Sequence, residues 1–150
     1  MKVEVIEGPL EEVLAVMHEV PELDTPAPVE QWKSRLSSHP LLLIARVGAE
    51  NVGFKVGYDR WQDGRTYYSW MGGVIPAFRR VGVASALQQA MEQWCTQHGY
   101  VSLRFKTRNR HRSMIAFALR HGFNMVDFEK KGAVDDYRLV FEKALEIVNS

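Results

Sequence analysis

A strand–helix–strand unit in the second half of the chain limits the fold more than any other feature. An apolar run from Tyr67 to Ile75 ends at Pro76, and a long amphipathic helix follows it before an alternating run reaches Lys106. Two strands joined through a helix lie parallel in one sheet, because a tight turn cannot connect parallel strands. The sequence therefore predicts one parallel pair and an α/β class of fold.

Two helices in this half are recognised by apolar residues at helical spacing and by the glycines that end them. The first is predicted to begin near Arg80 and to end at His98-Gly99, and the second ends at His121-Gly122. The apolar positions are Val83, Ala86, Leu87, Ala90, Met91 and Trp94 in the first helix, and Met114, Ile115, Ala118 and Leu119 in the second.

Antiparallel strands are predicted around this unit. Leu41 to Val47 is continuously apolar, Val52 to Tyr58 alternates, and Gln62 to Arg65 has the composition of a hairpin turn with Asp-Gly at its centre. An opening strand with two short helices comes before them, and a hairpin around Lys131-Gly132 closes the chain. The order β-α-α-β-β-β-α-β-α-β-β predicts a mixed, mostly antiparallel sheet of six to seven strands with about four helices.

Length and composition favour one soluble domain. The 150 residues contain no repeat or long linker, so a single domain over residues 1–150 is expected. Met1 to Val13 carries acids and no long apolar stretch, which argues against a signal peptide or membrane span and favours a cytoplasmic protein. Cys95 is the only cysteine, so no intrachain disulfide forms; it is expected to be a small core residue, with a nucleophilic role as the weaker alternative.

The segment Arg79-Arg80-Val81-Gly82-Val83-Ala84 is the clearest candidate for a ligand site. The first turn of a helix has amides without intrahelical partners and a partial positive charge, so a phosphate is stabilised there. Gly82 and Ala84 are small where the backbone would approach the ligand, and the arginines add charge. The alternative is that the small residues only permit helix–sheet packing and that the arginines face solvent.

With Val74-Ile75-Pro76 before it, this segment resembles the motif of the GNAT superfamily of N-acetyltransferases, Arg/Gln-x-x-Gly-x-Gly/Ala, in which Arg79, Gly82 and Ala84 fill the defined positions. The resemblance extends to the order of elements over nearly the whole chain and to His121-Gly122-Phe123. It implies a GNAT-like fold and an acetyl-CoA-dependent enzyme that transfers an acetyl group to a primary amine by direct attack.

The resemblance also implies where acetyl-CoA binds. The two parallel strands would be splayed, with the pantetheine arm beside Val74 and the pyrophosphate on the amides of Val81 to Ala84. Gly72-Gly73 fits a close backbone approach, and a simple kink in the strand is the alternative. The candidate cofactor-binding residues are Val74, Ile75, Arg79, Arg80, Val81, Gly82, Val83, Ala84 and Asn109, although the ungapped match brings His111 to the place of Asn109. No metal ligands are predicted.

The catalytic groups are less defined. In the family a tyrosine on the later helix often protonates the leaving thiolate, but Ala118 stands at that place. Tyr68 is one candidate donor, because strict alternation would put it on the same strand face as Gly72 and Val74. Tyr137 on the closing hairpin is the other. Both residues also fit purely structural roles, and water is the remaining alternative.

Charge distribution bears on the partner. Eight acids against one base lie between Met1 and Gln31, and in the family this region walls the acceptor site, so a small-molecule amine, a lysine or a peptide N-terminus is expected. The acids at issue are Glu11, Glu12, Glu19, Glu22, Asp24 and Glu30, and solvent-facing acids are the alternative. The net charge of +1 and the short basic run from Arg104 to Arg112 argue against nucleic acid, and no membrane partner is expected. A homodimer and a non-catalytic acyl-CoA sensor both stay open.

Overall fold

In the computed structural model, which describes residues 1–23 and 29–146, seven strands form one sheet in the order β1-β2-β3-β4-β5-β7-β6. The elements are β1 (Glu4–Glu7), α1 (Leu10–Met17), α2 (Val29–Arg35), β2 (Leu41–Val47), β3 (Glu50–Tyr58), β4 (Thr66–Val74), α3 (Val83–Gln97), β5 (Ser102–Arg108), α4 (Arg112–Arg120), β6 (Asn124–Glu129) and β7 (Arg138–Ala144). Short 3₁₀ turns lie at Pro21–Leu23, Pro76–Phe78 and Val134–Asp136. The predicted element order and sheet class are confirmed.

The central pair β4–β5 is parallel, and its pairing is short. Only Thr66 to Tyr68 pair with Ser102 to Arg104, whereas β4 continues to Val74 and β5 to Arg108. Beyond Tyr68 the two strands separate, while β3 stays paired to β4 and β7 to β5. The predicted splay is confirmed, and it leaves one side of the later half of β4 without a partner strand.

Helices cover the two faces of the sheet separately. We call the side under α3 the α3 face, whose core includes Tyr67, Leu87 and Met91, and the side under α1 and α2 the α1 face, whose core includes Trp32 and Phe54. Cys95 is fully buried on the α3 face, and burial raises the pKa of its thiol. Its predicted place in the core is confirmed, and a protonated thiol is a poor nucleophile.

Local turn chemistry follows the sequence, with one shifted boundary. The side chain of Asp63 accepts the amides of Arg65 and Thr66 at 2.9 and 3.1 Å, as the predicted hairpin turn requires. Helix α3, however, begins at Val83 and not near Arg80, because Arg80 and the capping Gly82 have positive φ values of 65° and 90°. Left-handed residues are incompatible with a right-handed helix, so the motif from Arg79 to Gly82 is a loop and only Val83 and Ala84 are helical.

A bulge in β4 overturns the expectation that Tyr68 shares a face with Val74. Val56 of β3 pairs with Met71 of β4, and the next residue of β3, Gly57, pairs with Ser69. β4 therefore carries one extra residue, Trp70, at this point. An inserted residue reverses the alternation of side chains beyond it. Tyr68 and Trp70 therefore belong to the aromatic group on the α1 face, whereas Val74 packs on the α3 face.

Candidate functional site

The separated part of β4 forms one wall of a gap. The amide of Ile75 donates to the carbonyl of Val52 on β3 at 2.9 Å. Because backbone groups alternate along a strand, those of Val74 point to the opposite side, into the gap. The Val74 carbonyl there accepts Nε of Arg79 at 3.0 Å. The gap thus presents strand backbone that an extended ligand can pair with.

The loop before α3 carries unused amides. Among the described residues, the amides of residues 80 to 85 donate to no backbone carbonyl, and Ala86 is the first to do so, to the carbonyl of Gly82. The left-handed conformations of Arg80 and Gly82 turn neighbouring amides toward one another. A Cβ placed on Gly82 would meet nothing within 4 Å, so the space beside it is open. Such a nest at the start of a 15-residue helix suits a phosphate.

Arg79 connects this loop to the N-terminal segment. Its Nη2 lies 2.8 Å from the carboxylate of Glu22, and this hydrogen bond holds the pKa of Glu22 below its usual value. With Nε on the Val74 carbonyl, the guanidinium bridges β4 and the turn at Pro21–Leu23. In this conformation Arg79 braces the loop, whereas the exposed Arg80 is free to face a ligand.

Residues before α4 lie across the open end of the gap. His111 is the N-cap of α4; burial lowers the pKa of its imidazole, and Arg108 and Arg110 act in the same direction, while Glu22 opposes them. Asn109 lies two residues before His111, and its side chain donates to the carbonyl of Val134 at 3.2 Å, so it braces the β6–β7 connection.

The two candidate tyrosines lie apart from each other: Tyr137 is near the open end of the gap, where its carbonyl accepts the amide of Asn109 at 2.9 Å. Tyr68 is at the paired end, buried against Tyr58 and Trp61 with Arg60 over its ring at 4.8 Å, and burial raises its pKa. The ring of Tyr137 stacks on Phe128 of the edge strand β6 at 6.3 Å. Neither residue is brought to the loop before α3.

Carboxylates neutralise the basic run. On the α1 face Arg104 pairs with Glu142 at 2.8 Å and Lys106 with Glu129 at 2.7 Å, while Arg108 and Arg110 both approach Asp136. A cavity of about 160 Å³ lies there beside Tyr68, lined by Arg60, Trp61, Arg104, Lys106, Asp127 and Glu129. Its charges are mixed, which suits a polar ligand more than a polyanion.

The acids of the N-terminal segment are partly neutralised as well. Glu12 lies 3.7 Å from Arg46, and Glu22 is held by Arg79, whereas Glu11, Glu19 and Glu30 are exposed. Asp24 lies outside the described residues. The expected acidic wall is therefore weaker than a count of its residues indicates.

Lys55 is a polar residue in the gap that the sequence analysis did not single out. It alternates with apolar residues on β3, a pattern that usually marks a solvent-facing position. In the structure it is half-buried on the α3 face, and burial lowers the pKa of its amine to about 8. The available signal was the pair of glycines on either side, Gly53 and Gly57, which receive the side chains of α3.

Comparisons with known proteins agree with this arrangement. The model of the acetyltransferase (GNAT) family matches residues 9–123. Similar solved structures include Ard1 from Thermoplasma volcanium (TM-score 0.80, 17% identity, covering 97% of this chain and 99% of that one) and the ribosomal-protein-S18-alanine N-acetyltransferase from Escherichia coli (0.82, 14%, 99% and 97%). A GNAT family acetyltransferase from Elizabethkingia anophelis with acetyl-CoA bound is also similar (0.78, 16%, 95% and 98%). A sequence comparison with curated proteins gives no match.

Proposed function

The chain belongs to the acetyltransferase (GNAT) family and is an acyltransferase, and from that premise we propose that it transfers the acetyl group of acetyl-CoA to a primary amine by direct attack. Among residues 1–23 and 29–146, no helix is long and apolar enough to cross a membrane. We propose that residues 1–150 act as one domain in the cytoplasm.

The amide nest before α3 is the observation that carries this proposal. The amides of Val81, Gly82, Val83 and Ala84 are assigned to the pyrophosphate, because they have no backbone acceptor and face open space beside Gly82. The exposed Arg80 adds charge at the rim. Arg79 is assigned a bracing role, since both ends of its guanidinium are already bonded.

The gap beside β4 is assigned to the pantetheine arm. The Val74 backbone points into it, and Ile75 fixes the end of the strand through its bond to Val52. Acetyl-CoA supplies an activated acyl group as a thioester. The chain's part is to hold that group against β4 and to bring a neutral amine to its carbonyl carbon.

The acceptor is assigned to the α1 face, where the mixed-charge cavity lies. Two similar structures are named for different kinds of acceptor, the alanine of ribosomal protein S18 and phosphinothricin. Carboxylates such as Asp127 and Glu129 favour the cationic form in which an amine arrives, and Arg60 favours a second, anionic group. A peptide N-terminus and a small zwitterionic amine both fit these charges.

One experiment tests the cofactor and the reaction separately. Acetyl-CoA is expected to raise the melting temperature of the wild-type protein, and free thiol should then appear when amines are supplied as a panel of peptides, polyamines and amino acids. Binding without thiol release from any amine would instead support a non-catalytic acyl-CoA sensor. If acetyl-CoA has no effect on the melting temperature at millimolar concentration, the proposed function is wrong.

A further inference from the structure

Lys55 reaches the gap from the strand next to β4. In the sheet it stands opposite Gly72, and a Cβ placed on Gly72 would lie 3.6 Å from Lys55 Cγ. The stem of the lysine therefore occupies the space that a side chain at position 72 would take. Because β4 has no partner on its other side at this height, a side chain that crosses Gly72 leads into the gap.

The surroundings of Lys55 define where its amine lies. Gly53 and Gly57 on the same face receive Leu87 and Met91 of α3, so the lysine lies under that helix between the two contacts. The opposite charge that acts most on its amine is Glu92, which is itself held at 2.8 Å by Lys143 of β7. Gly72, which the lysine stem crosses, lies beyond the last β4–β5 pair at Tyr68, so the amine lies beside the gap.

Among residues 1–23 and 29–146, Lys55 has no hydrogen-bond or ion-pair partner, and its nearest acid is engaged by another lysine. Burying a lysine without a partner is costly, because its charge loses hydration. Glu92 offsets this cost only in part, because it is engaged by Lys143, and we take the remaining cost as an indication that the amine serves a ligand.

We infer that Lys55 is the proton donor to the thiolate that leaves when the acetyl group is transferred. This inference rests on the proposed function, since it requires the thioester to lie beside Gly72. The acceptor nitrogen forms a bond to the thioester carbon, the carbon–sulfur bond breaks with its electron pair on sulfur, and sulfur takes a proton from the Lys55 ammonium. Lys55 then regains a proton through water from the ammonium that the acceptor loses.

The acidity of Lys55 suits this role. The pKa of a thiol is about 8.5 and that of an ordinary lysine is about 10.4, so an ordinary lysine would be a much weaker acid than the thiol it must form. Burial brings the pKa of Lys55 to about 8. The titratable groups that face it are Glu92 and Cys95 of α3, His121 at the end of α4 and Lys143 of β7. Glu92 counteracts the effect of burial, which keeps the amine protonated at neutral pH.

Coenzyme A itself, with its free thiol, is the probe that tests this assignment without turnover. An ammonium beside the sulfur stabilises the thiolate, so the thiol of bound coenzyme A is expected to ionise at a pH about 1 lower than the free thiol, measured by the ultraviolet absorbance of the thiolate. Lys55→Met should abolish that difference. Lys55→Arg keeps the cation and should retain it, while Lys33→Met, on the exposed side of α2, is the control for a lost charge and should match wild type.

The same variants separate acid catalysis from binding. With an amine that the panel shows to be a substrate, Lys55→Met and Lys55→Arg are both expected to lower kcat on the order of 10²-fold, because neither side chain supplies a proton near neutral pH. Stabilisation by acetyl-CoA should change less than about twofold in apparent affinity. Removing an unpaired buried charge should not lower the melting temperature of the free protein.

The outcomes distinguish the two proposals. If acetyl-CoA stabilises wild type and Lys55→Met alike, and the bound thiol ionises at the same pH in both, the role of Lys55 is wrong and the proposed function stands. If wild type binds neither acetyl-CoA nor coenzyme A, both proposals are overturned. A lower thiol pKa in wild type and Lys55→Arg together with its absence in Lys55→Met supports the assignment.

Discussion

The two ends of the β4–β5 pair differ in how their residues are packed and hydrogen-bonded. At the paired end, Tyr67 is fully buried, contacts the rings of Trp94 and Tyr100 and donates its hydroxyl to the carbonyl of His39 at 2.8 Å. At the open end, β4 carries Gly72 and Gly73, and its neighbour across the sheet is Lys55, whose amine has no ion-pair partner in the part of the chain that the structure describes. One end is packed and hydrogen-bonded, and the other holds little side-chain volume.

This difference teaches that stability and binding are divided along the length of one strand. Buried aromatic packing at the paired end supplies contacts that exist only in the folded protein. The open end leaves backbone groups and an ammonium unsatisfied, and a ligand can satisfy them. Changes at the paired end should therefore lower the free energy of unfolding, and changes at the open end should lower ligand stabilisation instead.

The largest effect is expected from Tyr67→Ala. Loss of a large buried ring with its cavity should cost about 3–5 kcal/mol of unfolding free energy, measured by urea denaturation. Tyr67→Phe is the matched control, because it removes only the hydrogen bond to His39 and should cost about 1 kcal/mol. The protein that remains folded should keep its affinity for acetyl-CoA in both variants. A large loss of affinity for acetyl-CoA in Tyr67→Phe would contradict the claim that the paired end serves stability and the open end serves binding.

The second effect concerns the loop at the open end. With acetyl-CoA at 100 times its dissociation constant, wild type should gain about 2.7 kcal/mol of stability, and Gly82→Glu should gain almost nothing because its carboxylate repels the pyrophosphate. Gly82→Ala is the control for backbone strain, since any side chain at a φ of 90° is strained. Both variants should lose the same stability without ligand, and only the acid should abolish the gain. Equal gains in all three proteins would contradict the phosphate assignment.

A variant at Cys95 tests whether the core beneath α3 takes part in acetyl transfer. Cys95→Ala should cost about 1–2 kcal/mol of unfolding free energy, because a fully buried sulfur leaves a small cavity. Burial raises the pKa of this thiol, so it should resist alkylation by iodoacetamide in the native protein at neutral pH. Thiol release from acetyl-CoA should be unchanged per folded molecule. A loss of activity without a loss of stability would support the alternative that Cys95 is a nucleophile.

The fold was predictable because the signals that define it are local and repeated. The switch from alternating to helical spacing located every strand and helix, and the glycines after His98 and His121 have φ values of 85° and 82°, as the predicted helix ends require. The motif around Gly82 also located the loop with unused amides, since a φ of 90° favours a residue without a side chain.

The side chains proposed for the site were less predictable because their positions depend on register. A single extra residue, Trp70, moved Tyr68 to the face opposite Val74, and no composition signal distinguishes a bulge from a regular strand. Lys55 looked solvent-facing for a related reason: period-two alternation shows which residues share a face, not which face is covered by a helix. The start of α3 was placed early because a positive φ at Arg80, a residue with a side chain, is not visible in sequence.

The smallest effect is expected at the open end, at the exposed bridge between Glu22 and Arg79. Because the hydrogen bond from Arg79 lowers the pKa of Glu22 in the folded protein, the bridge stabilises the fold above the usual pKa of 4.5 and ceases to do so as the pH falls through the lowered value. Urea denaturation from about pH 3 to about pH 7 should show Glu22→Gln less stable than wild type by about 0.5 kcal/mol at neutral pH, with the two proteins converging in acid. Glu19→Gln is the control, since that exposed neighbour forms no ion pair among the described residues and should follow wild type throughout. A difference at neutral pH that persisted in acid would mean that Glu22 acts through packing. No difference at any pH would show that the open end adds nothing measurable to stability, and that its contacts serve only to hold the loop in shape for a ligand.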